Sequence, residues 1–179
     1  MFKQIISFRD VKIYQNALIV FDIDDTVLGY KEISHDYFYK QLTHHKKYSS
    51  CENTIMNNAV NDWFNLVKQS TPHHMDEVGF VDLIKEINDN NSNHLFLTAR
   101  NPRFKDITEK HLNKIKINHK NIYYVAGGNK GEILKDIIKD YPEYNKIIFI
   151  DDMEKNLIDV YKTFGDKIDL YHFVKKYFL

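Results

Sequence analysis

At 179 residues, with 43% hydrophobic and 14% aromatic side chains, the chain is long enough to bury a core without staples, and its single cysteine, Cys51, has no internal partner. Lys plus Arg number 25 and Asp plus Glu number 25, so the formal charge is zero and no global electrostatic case exists for nucleic acid or an anionic membrane. No apolar run approaches the roughly 20 residues that span a bilayer, and the opening Met1 to Asp10 lacks a signal-peptide core, so a cytoplasmic protein is expected.

The first apolar run, Ala17 to Phe21, reads as a strand buried on both faces. It ends in Asp22-Ile23-Asp24-Asp25-Thr26. Carboxylates packed this closely repel one another and resist ionising unless a cation or shared proton relieves them. Strand side chains alternate faces, so Asp22 and Asp24 project to one side and converge beyond the strand end, whereas Asp25 reads as structural.

From Gly29 to Met75 the pattern is helical. One candidate helix surrounds Asp36 to Leu42. Ser49-Ser50-Cys51-Glu52 has the form of a capping box, followed by Met56, Ala59, Val60, Trp63, Phe64 and Val67 at helical spacing. Trp63 and Phe64 read as core of this segment before substrate stacking. His44-His45 and His73-His74 invite a metal reading, but adjacent histidines on a helix point in different directions.

Beyond it, Phe80, Val81, Ile84 and Ile87 form a helical stripe before the run His94 to Leu97. A second stripe, Phe104, Ile107, His111, Leu112 and Ile115, precedes the run Ile122 to Val125. A third, Ile133, Leu134, Ile137, Ile138 and Tyr141, precedes Lys146 to Ile150, and a weaker run, Ile168 to Phe173, follows. Such alternation predicts an α/β fold, an open parallel sheet with helices on both faces, whose ligands bind beyond the carboxyl ends of the strands. Those ends carry Asp22 with Asp24, then Thr98-Ala99-Arg100-Asn101, then Gly127-Gly128-Asn129-Lys130, then Asp151-Asp152. Acids, a hydroxyl, an arginine and a lysine on one rim suit a divalent metal together with a phosphate. Each has a plainer reading on its own: Thr98 caps a helix, Lys130 is solvated, Gly127 and Gly128 make a tight turn, and Arg100 pairs with a neighbouring acid.

Taken in order, these residues resemble the haloacid dehalogenase superfamily. Phe21-Asp22-Ile23-Asp24-Asp25-Thr26-Val27 looks like its first motif, Leu97-Thr98 its second, Lys130 in Asn129-Lys130-Gly131 its third and Ile150-Asp151-Asp152 its fourth. Phe-Asp-Ile-Asp-Asp-Thr and Leu-Thr-Ala-Arg look closest to its acid-phosphatase-like branch. The resemblance covers about Leu18 to Asn156 and implies a HAD-like Rossmannoid core, 1–28 and 76–179; residues 29–75 lie outside its motifs and, from their helical spacing, read as a small helical cap inserted after the first motif. The resemblance also implies a Mg²⁺-dependent phosphatase that hydrolyses a phosphomonoester through an aspartyl phosphate. Asp22 would be the nucleophile and Asp24 the acid and base. Thr98 and Lys130 would bind the phosphoryl group beside Ala99 and Arg100. Asp22, Asp151, Asp152 and the backbone carbonyl of Asp24 would serve Mg²⁺. Asn156 stands where many members place a further acid. The expected partner is a small phosphorylated substrate. A phosphotransferase, a nucleic-acid end (3′-) phosphatase and a non-catalytic phospho-ligand binder remain open, and oligomeric state has no sequence signature here.

Overall fold

The computed structural model describes residues 2–34 and 36–174. In chain order the strands are β1 (Lys3–Ile5), β2 (Ala17–Phe21), β3 (Leu28–Tyr30), β4 (Pro72–His74), β5 (Asn93–Thr98), β6 (Ile122–Tyr124), β7 (Lys146–Asp151) and β8 (Ile168–Phe173). The helices are α1 (Tyr37–His45), α2 (Glu52–Gln69), α3 (Glu77–Asp89), α4 (Lys105–Lys114), α5 (Lys130–Ile137) and α6 (Glu154–Phe164). Six strands form one parallel sheet in the order β1-β8-β7-β2-β5-β6, as the alternation predicts, and β3 pairs with β4 in a separate two-stranded sheet. Among the described residues no helix is long and apolar enough to cross a membrane.

β2 lies at the centre because every one of its residues is buried, so a neighbour is needed on each edge and a layer on each face. Its alternate side chains go to opposite layers. Leu18 and Val20 join Leu134 and Ile137 of α5 and Leu157 and Val160 of α6 in one core. Phe21 faces the other way, 5.8 Å from Phe8 and 5.4 Å from Phe80 of α3 between ring centroids. From β2 the chain goes to β5 and β6 on one side and then returns to β7 on the other. The strand order therefore reverses between β2 and β7, and open α/β sheets bind their ligands at such a point.

Helix ends follow local chemistry. Asp76 caps α3 by accepting from Gly79 N at 3.0 Å, and its other oxygen accepts from Ser7 Oγ at 2.7 Å and Phe8 N at 2.9 Å. Asn129 caps α5 by accepting from Glu132 N at 3.1 Å. The capping box expected at Ser49 does not form: Ser49 Oγ is spent on Cys51 N at 3.1 Å, and α2 starts from Cys51 with no side-chain cap.

The chain divides into two compact units, residues 1–28 with 74–179, and residues 29–73. The second is an α1–α2 hairpin in which His45 Nε2 lies 2.7 Å from Asp62 Oδ2. Ile55, Ala59 and Val67 are its buried α2 residues; Met56, expected on that stripe, is 48% exposed. Trp63 and Phe64 are half-buried. On α3, similarly, Val81 is exposed and Leu83 takes the buried place.

Gly131 fixes how closely α5 meets α6. A Cβ there would stand 2.4 Å from Asp159 O and 2.5 Å from Thr163 Oγ1, and the first of these is backbone. Gly131→Ala is expected to cost about 1–3 kcal/mol, seen as a lower urea midpoint, and to displace its neighbour Lys130. An unchanged midpoint would show that the two helices can part freely.

Candidate active site

The register of β2 on β7 builds the site. Asp22 N donates to Ile150 O at 2.9 Å, so pairing persists to the last residue and sets Asp22 beside Asp151. Asp22 is 5% exposed, Asp151 is fully buried and Lys130, from the first turn of α5, is 1% exposed. The Lys130 ammonium bridges the two acids, hydrogen-bonded to Asp22 Oδ1 and 2.7 Å from Asp151 Oδ2. Asp151 Oδ1 also accepts from Met153 N at 2.8 Å, and Asn156 Nδ2 lies 3.0 Å from each Asp151 oxygen. Asn156 thus orients the acid from one turn into α6.

Thr26 and Asp152 complete the floor. Thr26 Oγ1 accepts from Asp152 N at 3.0 Å and lies 3.3 Å from Asp22 Oδ2, tying the loop after β2 to the loop after β7. Asp25, next to Thr26 in the loop after β2, has φ 62, a left-handed conformation that aspartate tolerates better than most residues. His172, in β8 opposite Asp151, places Nε2 2.8 Å from the Asp152 carbonyl oxygen.

Charge is crowded in this cluster. Burial pushes Asp22 up to about 7; Lys130 opposes the rise, and the nearby Asp151 and Asp24 charges add to it. Burial also works against the Lys130 charge, but Asp151 and Asp22 more than offset that and hold the amine above the usual lysine range. Oxygen atoms of Asp22, Asp151 and Asp152 all lie within 4.8 Å of one another, with one ammonium among them. Three converging carboxylates, two of them buried, form a hard-oxygen donor set that fits a divalent cation such as Mg²⁺. Among the described residues this is the one group of acids, histidines or cysteines so placed, and the paired histidines form none.

The Asp24 carboxylate stands outside that group. It accepts two hydrogen bonds from Arg100, at 2.8 Å from Nε and 2.6 Å from Nη2. Arg100 is 3% exposed and its Nη1 donates to Thr108 Oγ1 of α4 at 2.9 Å, so of the two sequence readings of this arginine the structure displays the pairing with an acid. Thr98, fully buried at the end of β5, accepts from Arg100 N through Oγ1 at 3.2 Å. Ala99 is exposed, with its carbonyl accepting from Gly127 N at 3.0 Å. The turn expected at the glycines starts one residue early: Ala126 (φ 50) and Gly127 (φ 77) are both left-handed.

Near this arginine sits His111, buried on α4 and pushed down to about 4, by burial first and the Arg100 charge second. The unfolded histidine binds its proton near pH 6.5 and the folded one does not until about pH 4, so stability should fall as pH drops through that window. His111→Leu is expected to flatten the decline in melting temperature between pH 6.5 and 4, by an amount equivalent to about 1–2 kcal/mol. An unchanged slope would place the acid sensitivity elsewhere.

An all-parallel sheet with helices on both faces and acids at the strand-order switch defines an open α/β, Rossmann-like fold. Its likeness is concrete in the haloacid dehalogenase-like family hydrolase SP0104 from Streptococcus pneumoniae, similar at 12% identity with a TM-score of 0.53 over 83% of this chain and 81% of that one. At such identity the likeness shows the fold. The chain belongs to the family described as "Protein of unknown function (DUF2608)", matching it over residues 2–122 and 119–177. No curated protein sequence matches the chain.

Proposed function

We propose that this protein is a Mg²⁺-dependent hydrolase of phosphomonoesters that works through an aspartyl phosphate on Asp22. The observation that carries the reading is the buried Lys130 held between Asp22 and Asp151, with Asp152 close by, at the switch point of the sheet. Structural ion pairs are seldom buried in such numbers with one charge in excess, and a site that binds a cation and a phosphoryl group needs that excess.

On this reading each residue has a role. Asp22 attacks phosphorus in line and expels the alkoxide, forming the acyl phosphate that water then hydrolyses. Asp24 protonates the departing alkoxide and afterwards takes a proton from the attacking water. Thr98 donates its hydroxyl to a phosphoryl oxygen, and Lys130 balances charge on the nucleophile and the transferring group. Mg²⁺, held by Asp22, Asp151, Asp152 and the backbone carbonyl of Asp24, would neutralise phosphoryl charge and let the two anions meet. Residues 29–73 act as a lid that selects the substrate and excludes water, and the protein works in the cytosol on a small phosphorylated molecule.

The decisive measurement is phosphate release from 4-nitrophenyl phosphate with and without Mg²⁺. Release that needs the metal and stops on chelation supports the reading. Folded protein that releases nothing from either aryl or alkyl phosphates defeats it. A panel of sugar phosphates, nucleotides and 3′-phosphorylated oligonucleotides then fixes the substrate class.

A further inference from the structure

Three links connect the Asp24 carboxylate to the scaffold. Arg100 grips both carboxylate oxygens, through Nε at 2.8 Å and Nη2 at 2.6 Å, in the parallel two-bond geometry that a guanidinium makes and an ammonium does not. The third corner of the fork, Nη1, donates to Thr108 Oγ1 at 2.9 Å, and the Thr108 hydroxyl donates in turn to Phe104 O at 2.8 Å. The Arg100 backbone is fixed as well, since its N–H donates to the buried Thr98 hydroxyl oxygen at 3.2 Å. The arginine side chain is 1% exposed, whereas that of Asp24 is 29% exposed. The cation is therefore the anchored partner, and the carboxylate is the one that meets solvent. His111, buried nearby and held uncharged, leaves Asp24 to balance the guanidinium.

We propose that Arg100 is a positioning residue, which holds the Asp24 carboxylate at the rim of the site and takes no part in gripping the substrate phosphate. The proposal rests on the hydrolase reading for what Asp24 does, and on the geometry alone for what holds it. Three of the five guanidinium N–H groups are engaged within the scaffold and the side chain is 1% exposed, so the arginine turns its donors to Asp24 and Thr108 and not to the open rim. Asp24, in contrast, needs one fixed orientation to serve a leaving group and then a water. Arg100 links β5 and α4 to that orientation. Thr108 is the bolt that keeps the fork aimed.

Proton delivery matters only for leaving groups that depart badly as anions, which separates the two roles of an arginine here. Arg100→Ala is expected to lose about 10-fold more kcat on an alkyl phosphate than on 4-nitrophenyl phosphate. Its KM for both esters and its inhibition by inorganic phosphate should stay within about 2-fold of wild type. Added guanidinium should restore part of the alkyl phosphatase activity. If instead KM and the inhibition constant for phosphate rise together, by one factor for both esters, Arg100 is a phosphate ligand and the proposal fails. Should Arg100→Ala not fold, Arg100→Lys provides the same split, because a single ammonium cannot reproduce the fork.

If wild-type protein hydrolyses neither ester, the hydrolase reading falls while the holding role is still decided by stability. Melting temperatures of Arg100→Gln, Asp24→Asn and the double variant should then be non-additive, the double variant losing less than the sum. Additive losses would mean that the pair is not coupled and would overturn the proposal.

Discussion

Asp22→Asn is expected to remove Mg²⁺-dependent phosphate release by a factor of at least about 10⁴, on good and poor leaving groups alike. An amide cannot form the acyl phosphate, and the neighbouring Asp151 and Asp24 are already engaged. Asp151 is fully buried and engaged by Lys130, Met153 N and Asn156, and Asp24 is held by Arg100. The variant should fold, because asparagine has nearly the volume of aspartate and removes one charge from a crowded group. Its melting temperature without metal should be no lower than that of wild type. Asp24→Asn should differ in kind, losing more on alkyl than on aryl phosphates, since only the former require a proton. Residual activity of Asp22→Asn close to wild type would sink the covalent mechanism outright.

Lys130→Met should produce the largest loss of stability of any change in the site, about 3–5 kcal/mol, because removing one member of a buried ionic group strands the others. The substitution keeps the unbranched stem that crosses the core beside Phe149 but leaves Asp22 and Asp151 facing each other without their shared cation. Urea denaturation would measure the loss. Two further results belong to the same account. Mg²⁺ should raise the midpoint of Lys130→Met more than that of wild type, since the ion replaces missing positive charge. Adding Asp22→Asn to Lys130→Met should recover part of the loss. A Lys130→Met protein as stable as wild type would show that the two aspartates are screened by something other than the ammonium.

The central strand is legible in the chain because a strand buried on both faces must be apolar throughout, as Ala17–Phe21 is; Ile168–Phe173 also keeps its bounds, although Asp169 and His172 interrupt its burial. The strands β1, β3 and β4 are three residues each, too short to show any period, and had no such signature. Helix registers were less secure. In α2 the buried position is Ile55, one residue before the expected Met56, and α3 buries Leu83 where Val81 was expected. One residue, about 100°, separates the choice in α2 and two residues, about 200°, the choice in α3, and packing partners distant in sequence settle both.

Within the site, the residues at strand ends could be named because strand ends converge in this architecture. Their mutual arrangement could not. The Arg100–Asp24 pair spans 76 residues, and His172 meets Asp152 only because β8 lies beside β7. Thr108 was hidden for another reason: on an amphipathic helix its hydroxyl looks like ordinary surface polarity, and only the burial of Arg100 beneath it gives the group a task.

The passage of the chain through β3 and β4 has a consequence for how this protein can change over evolutionary time. Every side chain named in the site belongs to residues 1–28 or 74–179, and Met75 N donates to Val27 O at 3.2 Å, so the exit and re-entry of residues 29–73 lie side by side. A segment attached at two adjacent points behaves as an exchangeable cartridge. It can lengthen, shrink or be replaced without moving a single group of the acidic cluster, because a longer loop adds little closure entropy. Residues 29–73 and the strand ends that carry the acids are therefore separable parts of the chain, and a change of length in the first leaves the order of the second intact.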